Sequence, residues 1–296
     1  GASLTYLAHL DKQLDAAIVS SESLIGRKLE VYARYDVVLN GFAAKMSAQE
    51  AASLRQMPGV REVYPDLIWQ PDTDTSPEFL GVDGIWDGTS VPGDGTATGE
   101  GVLVGILDTG INMDHPSFAE VGPVDGYVHT NPFGADTYKG LCETDPTNYV
   151  CNDKLVGVYA YTTEPIRGED SEDHGSHTAS TTAGNVVEFD FSGAMVTISG
   201  MAPHANIIAY DVCDAAGCAS SGTVSAVNQA IADGVDVLNY SIGPNSGPGQ
   251  SPYVSASEVA FLEAVDAGII TATSAGNSGP DVSTTYKAAP WTLIVA

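Results

Sequence analysis

Apolar residues recur at steps of three and four from Leu4 to about Leu24, so we predict an amphipathic α-helix over this stretch. Two short strands follow in the pattern, at residues 29–38 and 42–46. The Asn40-Gly41 dipeptide that joins them tolerates the positive φ angles of a tight hairpin. The chain therefore begins with a helix and a predicted β-hairpin.

The next segment carries the signals of a second helix and a third strand. Ser47 and Glu50 have the spacing of a capping box, in which each side chain satisfies a free backbone amide at the start of a helix. We expect that helix to end at Pro58-Gly59 and a strand to follow at residues 60–64. The order α-β-β-α-β predicts a small, ferredoxin-like α+β module.

After a Pro- and Asp-containing loop at residues 71–77, short apolar strands alternate with helical stretches. Nearly continuous apolar strands are typical of a parallel sheet that is buried on both faces. We therefore predict two domains: the α+β module at residues 1–74, and at residues 75–296 an α/β domain with a doubly wound parallel sheet and helices on both faces. The strands are predicted at 102–107, 207–212, 235–240, 269–273 and 292–295, and the helices at 174–183, 221–232 and 256–267.

Charge excludes two classes of partner. The 38 Asp and Glu residues outnumber the 11 Lys and Arg residues, which gives a formal net charge of -27. Such a field repels phosphate backbones and anionic lipid headgroups, so we expect neither nucleic acid nor a membrane surface as a partner. No apolar run approaches the roughly 20 residues that span a bilayer.

The four cysteines form two close pairs in loops, Cys142 with Cys151 and Cys213 with Cys218. Close pairs in loops favour two small disulfide-closed rings and therefore an oxidising compartment, so we predict a secreted protein. A four-cysteine zinc site is the alternative, but neither pair has Cys-x-x-Cys spacing.

A carboxylate stands at the end of the first strand of the α/β domain, in the Gly-Ile-Leu-Asp-Thr-Gly motif that contains Asp108. In such sheets, functional residues lie at the carboxyl ends of strands. A simple turn aspartate is one alternative. An aspartic protease is another, but it needs a second Asp-Thr-Gly loop, and the nearest candidate, Asp266-Ala267-Gly268, lacks the hydroxyl residue.

A second candidate, His174, opens a helix rich in small residues in the segment Asp-His-Gly-Ser-His-Thr-Ala. His174 and His177 lie three residues apart and could bind a metal, but the segment lacks His-Glu-x-x-His spacing and an obvious third ligand. A purely structural histidine is the other alternative.

Two further strand ends carry polar or glycine-containing segments. Asn277 follows an apolar strand, and a side-chain amide there can donate to a developing oxyanion, although a turn asparagine is the simpler interpretation. Another strand ends at Ser241, Ile242 and Gly243, where free backbone groups can pair with an extended peptide. A plain strand exit is the alternative for this second segment.

Three motifs, taken in their order along the chain, resemble those of the subtilisin-like serine peptidases: Asp-Thr-Gly at 108–110, His-Gly-Ser-His-Thr-Ala at 174–179 and Ala-Gly-Asn at 275–277. The resemblance covers nearly the whole chain. Its branch, which includes the plant subtilases and related secreted bacterial enzymes, is indicated by Ser-Pro-Glu-Phe-Leu-Gly at 76–81, Gly-Met-Ala-Pro at 200–203 and Ala-Ile-Ala-Asp-Gly-Val-Asp-Val at 230–237.

The resemblance implies a role for each candidate residue. His174 is the general base, Asp108 orients its imidazole, and Asn277 donates to the oxyanion. The segments expected to hold the substrate backbone are Ser241, Ile242 and Gly243 on one side and Ser274, Ala275 and Gly276 on the other. No cofactor is implied. Calcium is frequent in the family, but no Asp-x-Asp-x-Asp-Gly loop is present, so we predict no metal site.

The N-terminal module resembles the family's propeptide, without its usual first strand, in Leu-Asn-Gly-Phe-Ala-Ala at 39–44 and Pro-Gly-Val at 58–60. We expect it to inhibit the peptidase domain, and its tail at residues 69–74 to lie in the cleft as a product-like peptide. The alternative function is therefore a non-catalytic module that acts as folding chaperone and inhibitor.

The family's Gly-Thr-Ser-Met-Ala nucleophile motif is absent from the 296 residues. We expect the nucleophilic serine to lie beyond Ala296 and the chain by itself to be inactive. The predicted whole is a zymogen of a serine endopeptidase that hydrolyses protein or peptide substrates through an Asp-His-Ser triad.

Overall fold

The computed structural model describes residues 4–35, 40–65, 75–91, 95–162, 167–243, 251–282 and 284–295. The chain divides into two compact units, Gly1–Gln70 and Pro71–Ala296. The expected product-like tail at 69–74 and the predicted boundary after Asp74 lie outside the described residues, so both stay predictions.

Within the first unit, helix α2 (Ala48–Leu54) begins with the predicted capping box. The backbone N–H of Glu50 donates to Ser47 Oγ at 3.2 Å, and the backbone N–H of Ser47 donates to Glu50 Oε2 at 2.7 Å. Both amides would otherwise lack a partner at the helix start, which is why this local signal predicts the element correctly. The elements of this unit are α1 (Leu4–Ile25), β1 (Glu30–Tyr35), β2 (Gly41–Lys45) and α2 (Ala48–Leu54).

The connection between β1 and β2 is longer than a two-residue turn. In the antiparallel register, Tyr35 is the partner of Gly41. Gly41 therefore belongs to the strand, and the prediction that Asn40-Gly41 forms a tight turn is wrong. Residues 36–39 of this connection lie outside the described residues.

The strand predicted at residues 60–64 is absent from the structure, which has no regular element there. The backbone N–H of Val60 donates to Met57 O at 3.1 Å in a turn, and the carbonyl of Val63 accepts from Arg55 Nε at 3.1 Å. These groups are satisfied by a turn and by a side chain, so they need no neighbouring strand.

The second unit is built on one parallel sheet. Within the described residues, seven strands pair in the order β13-β12-β11-β3-β8-β5-β4. Its elements are α3 (Ser76–Leu80), α4 (Asp83–Trp86), β3 (Leu103–Asp108), a 3-10 turn (Pro116–Phe118), β4 (Lys139–Gly140), α5 (Leu141–Thr144), β5 (Leu155–Ala160), α6 (His174–Ala183), β6 (Val187–Phe191), β7 (Ala194–Ile198), β8 (Asn206–Asp211), β9 (Cys213–Asp214), β10 (Gly217–Cys218), α7 (Ser220–Asp233), β11 (Val237–Tyr240), α8 (Ala256–Asp266), β12 (Ile270–Ser274) and β13 (Leu293–Val295).

Helices cover both faces of this sheet, as predicted. Along β3, Val104 and Ile106 pack in a cluster with Ala179 and Ala183 of α6. The alternate residues of β3 point to the opposite face because side chains alternate along a strand. There they pack with α7 and α8 in a cluster that includes Leu103, Leu107, Ala226, Ala230, Phe261 and Ala264. The sheet is therefore doubly wound around two apolar layers.

Both predicted disulfides are present, Cys142–Cys151 and Cys213–Cys218. Within the described part of the chain, no cluster of His, Cys, Asp and Glu could hold a metal ion, and no helix is both long enough and apolar enough to cross a bilayer.

A buried histidine lies in the loop before β4. His129 is 2% exposed, and its Nε2 lies 2.8 Å from Asn185 Oδ1. Its Nδ1 is buried and has no hydrogen-bond partner among the described residues. Burial, together with the charge of Lys154, lowers the pKa of His129 to about 4. The native protein therefore holds this imidazole neutral at pH values where the unfolded chain protonates it.

We expect this histidine to contribute to acid unfolding. Between pH 6.5 and 4 the unfolded chain binds a proton at His129 that the native chain does not, so native stability falls by about 3 kcal/mol as the pH is lowered through this window. His129→Gln keeps a donor for Asn185, and it should weaken the pH dependence of the free energy of unfolding in urea between pH 6.5 and 4. The control is His9→Gln, at an exposed histidine. Equal slopes of unfolding free energy against pH for His129→Gln and wild type would contradict the prediction.

Candidate active site

The two main predicted catalytic side chains are in contact. Asp108 is the last residue of β3, and His174 is the first residue of α6. His174 Nδ1 lies 2.6 Å from Asp108 Oδ1. A carboxylate only accepts, so Nδ1 carries the proton of this hydrogen bond, and in the neutral imidazole the lone pair is on Nε2. The carboxyl group is 1% exposed whereas the imidazole is 50% exposed, so Nε2 belongs to a base that solvent or a substrate can reach.

Asp108 is buried, and three donors surround its carboxylate. Its Oδ1 accepts from the backbone N–H of Thr109 at 2.9 Å, and its Oδ2 accepts from Thr178 Oγ1 at 3.1 Å. Thr178 lies one turn beyond His174 on α6, so the same helix supplies two donors to one carboxylate. These bonds offset the loss of water around a buried charge and hold the carboxylate in one orientation.

The start of α6 is anchored to the end of β3 by Asp170. Its Oδ1 accepts from Thr109 Oγ1 at 2.8 Å, and its Oδ2 accepts from the backbone N–H of Ser176 at 2.6 Å. Thr109 Oγ1 in turn accepts from the backbone N–H of Gly175 at 2.8 Å. The residues that follow Asp108 and His174 are therefore joined directly, which makes Asp170 a positioning residue for the pair.

Other acids surround the same edge of the sheet. Asp211 is the ladder partner of Asp108, and burial raises its pKa although the N–H of Gly168 donates to it. Burial also raises the pKa of Glu169, with smaller contributions from neighbouring carboxylates including Asp114. Asp108 differs from these acids because it alone among them contacts His174.

The ends of β3, β11 and β12 meet at this edge. The parallel register pairs Ile106 with Asn239 and Asn239 with Ala272. Neighbouring strands lie about 4.8 Å apart, so residues at one level are close. Asp108, Ser241 and Ser274 stand two positions farther along the chain than these partners, at the ends of three neighbouring strands.

The predicted substrate-binding segments flank a cavity of about 250 Å³ that Ser241 and Ser274 help to line. The side chains of Ser241 and Asn239 are hydrogen-bonded to each other. Both backbone groups of Ala275 have hydrogen-bond partners within the chain. Its N–H donates to Val295 O at 2.7 Å, and its carbonyl accepts from the backbone N–H of Tyr286 at 3.2 Å. Ile242 is half-buried and Gly243 exposed after β11, and after β12 Gly276 is half-buried and Asn277 exposed.

Comparison with known families decides the assignment. A model described as Subtilase family matches residues 99–296, which is more than half of the chain and includes every residue of this site.

The chain belongs to the subtilase family.

A second model, described as Peptidase inhibitor I9, matches residues 5–72 of this subtilase.

Its relatives include plant enzymes. The subtilisin-like protease SBT1.4 of Arabidopsis thaliana is 36% identical over 285 residues, which cover 88% of this chain and 34% of the relative. The subtilisin-like protease SBT1.5 of the same plant is 34% identical, and the match covers 99% of this chain and 40% of the relative. The chain thus spans little more than a third of the length of these relatives. A crystal structure of a cold adapted subtilisin-like serine proteinase is 23% identical, with a TM-score of 0.41 and coverage of 62% of this chain and 49% of that one.

Sequence reasoning missed three residues of this subtilase site: Thr109, Asp170 and Thr178. A carboxylate four residues before the helix that starts at His174 is a weak signal for an N-terminal anchor. No pattern in the sequence indicates that Thr178 and Asp108, which lie 70 residues apart, are hydrogen-bonded.

Proposed function

We propose that the protein is a serine-type endopeptidase of the subtilisin class that acts through an Asp-His-Ser triad. The observation that carries this proposal is the 2.6 Å contact between His174 Nδ1 and the buried carboxylate of Asp108, at the sheet edge where β11 and β12 also end. The proposal places the nucleophilic serine beyond Ala296, so that residues 1–296 alone are inactive.

In the proposed reaction, His174 Nε2 removes the serine proton as the serine oxygen attacks the carbonyl carbon of the peptide bond. Asp108 stabilises the imidazolium that forms. The amide of Asn277 donates to the negatively charged oxygen of the tetrahedral intermediate. His174 then gives its proton to the leaving amine as the C–N bond breaks and the acyl group stays on the serine as an ester. Water, deprotonated in turn by His174, attacks this ester, and the serine takes back its proton as the acid is released. The substrate backbone is held by Ser241, Ile242 and Gly243 and by Ser274, Ala275 and Gly276.

A second proposed function belongs to the N-terminal unit, which acts as an intramolecular inhibitor and folding chaperone of the peptidase domain. The match of residues 5–72 to the Peptidase inhibitor I9 model supports it. In this proposal the protein is a zymogen that becomes active once the unit is cleaved and released.

We also propose that the protein is secreted and acts on protein or peptide substrates. The two disulfides support this location because disulfides persist in oxidising compartments.

A fluorophosphonate probe, which reacts with activated serines, tests the function. The full-length protein, freed of its N-terminal unit, should be labelled at a serine beyond Ala296, and residues 1–296 alone should not. Asp108→Asn, which removes the negative charge beside the imidazole and offers Nδ1 a donor that favours the wrong tautomer, should lower the labelling rate by at least about a hundredfold. Absence of label on the full-length protein, or label that does not depend on Asp108, would refute the proposal.

A further inference from the structure

A threonine hydroxyl on α6 contacts the carboxylate of the candidate pair. Thr178 lies four residues after His174, so the two side chains share one face of the helix. Its Oγ1 lies 3.1 Å from Asp108 Oδ2 and 3.1 Å from Gly175 O. A hydroxyl group has one hydrogen, so it donates to one of these two acceptors at a time.

The carboxylate is the acceptor that gains more from this hydrogen. Donation to a carbonyl in the preceding turn is an ordinary local arrangement for a threonine in a helix. Asp108, however, is 1% exposed, and its Oδ2 has no other donor among the described residues, because His174 Nδ1 and the backbone N–H of Thr109 both contact Oδ1. A buried negative charge gains more from a donor than a neutral carbonyl does, so the hydroxyl donates to Oδ2.

This hydrogen bond affects the pH at which the pair takes up a proton. A donor to a carboxylate stabilises its ionised form. It stabilises the pair most when the imidazole is neutral, because an imidazolium would already balance part of the negative charge. The hydroxyl of Thr178 therefore lowers the pH at which a proton binds to His174 Nε2 and blocks the base.

Other titratable groups at this edge come from β8, from β11 and from the loop before α6: Asp211, Tyr240, Glu169, Asp170, Glu172 and Asp173. In the described part of the chain, none of these side chains is hydrogen-bonded to the side chain of Asp108 or His174. All of them stay in place when Thr178 is replaced. A difference in pH dependence between wild type and a Thr178 variant therefore reports the loss of the hydroxyl.

We propose that Thr178 is a positioning residue of the peptidase, and that its hydroxyl, by donating to Asp108 Oδ2, sets the lower pH limit of activity. The inference rests on the proposed function and deepens it. The same hydrogen bond keeps the carboxylate from rotating, so that Oδ1 stays on His174 Nδ1.

The test is the pH dependence of kcat/KM for a fluorogenic peptide, measured on the full-length protein freed of its N-terminal unit. Thr178→Val keeps the branched shape and removes the hydroxyl, so the midpoint of the acid limb should move up by about 0.5 to 1 pH unit. Thr178→Ser keeps a hydroxyl and should keep the wild-type midpoint. The matched control is Thr182→Val. The Thr182 hydroxyl, one turn farther along α6, donates to Thr178 O at 2.8 Å, and its loss should not move the midpoint.

The outcomes separate this inference from the proposed function. An acid limb with the same midpoint in Thr178→Val and wild type, whatever the level of activity, overturns the role of Thr178 and leaves the peptidase intact. An equal shift in Thr182→Val also overturns it, because the shift would then not depend on the contact with Asp108. A protein that neither takes the fluorophosphonate label nor cleaves any peptide overturns both. Should Thr178→Val fail to fold, Thr178→Ala removes the same hydroxyl and decides in the same way.

Discussion

His174→Ala in the full-length protein is expected to lower kcat/KM for peptide hydrolysis by about 10⁵-fold. The imidazole of His174 contacts the buried Asp108. In the proposed mechanism, this imidazole first accepts the serine proton and then donates it to the leaving amine. Base and nucleophile act as a unit, so loss of the base removes most of the benefit of the nucleophile as well. Hydrolysis of a fluorogenic peptide, with the concentration of folded protein measured independently, gives the ratio.

The matched control is His177→Ala. His177 is an exposed histidine one turn farther along α6, and no catalytic role is assigned to it. Its replacement should change kcat/KM by less than about threefold. Undiminished activity in His174→Ala, or equal losses in the two variants, would remove His174 from the mechanism.

Gly175→Ala is expected to lower the free energy of unfolding by more than about 4 kcal/mol. A Cβ atom at this position would overlap the carbonyl oxygen of Gly110 and approach the backbone N–H of Thr109. These neighbours are backbone atoms of the loop after β3, and they cannot rotate away as a side chain could. Helix α6 must then move away from the strand end, and the contact between His174 and Asp108 opens with it.

Urea unfolding of the chain measures this loss, with Gly222→Ala as the control. Gly222 lies in α7, and its added Cβ would be 3.5 Å from Val212 O, an ordinary contact. The same substitution there should raise the free energy of unfolding by about 0.5 to 1 kcal/mol because alanine is the better helix former. Effects of the same sign in both variants would show that close backbone approach is not what position 175 requires.

Local signals account for the elements that the sequence predicted well. Helix α6 has the predicted bounds, His174–Ala183, and α7 ends at Asp233, directly before Gly234, whose left-handed conformation stops the helix. The prediction of a strand at residues 60–64 is wrong because residue types in a short segment do not show whether a neighbouring strand is there to pair with it. The hairpin β6–β7 and strand β5 were not predicted at all.

The motifs at Asp108, His174 and Asn277 mark three strand or helix ends in the sequence. The motifs identify the candidate residues, but only the structure shows which of them are in contact. Asp108 and His174 are 66 residues apart and in contact, whereas the catalytic role given to the exposed Asn277 stays a prediction.

By itself, then, the sequence determined the α/β class, the disulfides and the capping box of α2, because each depends on residues near one another in the chain or on overall composition. Only the tertiary structure decided that Asp170 accepts hydrogen bonds from both Thr109 and the start of α6, and that Lys287 Nζ donates to Ser274 Oγ. Those contacts depend on the order in which β12, β11 and β3 pair, and strand order is set by packing across the whole sheet rather than by neighbouring residues.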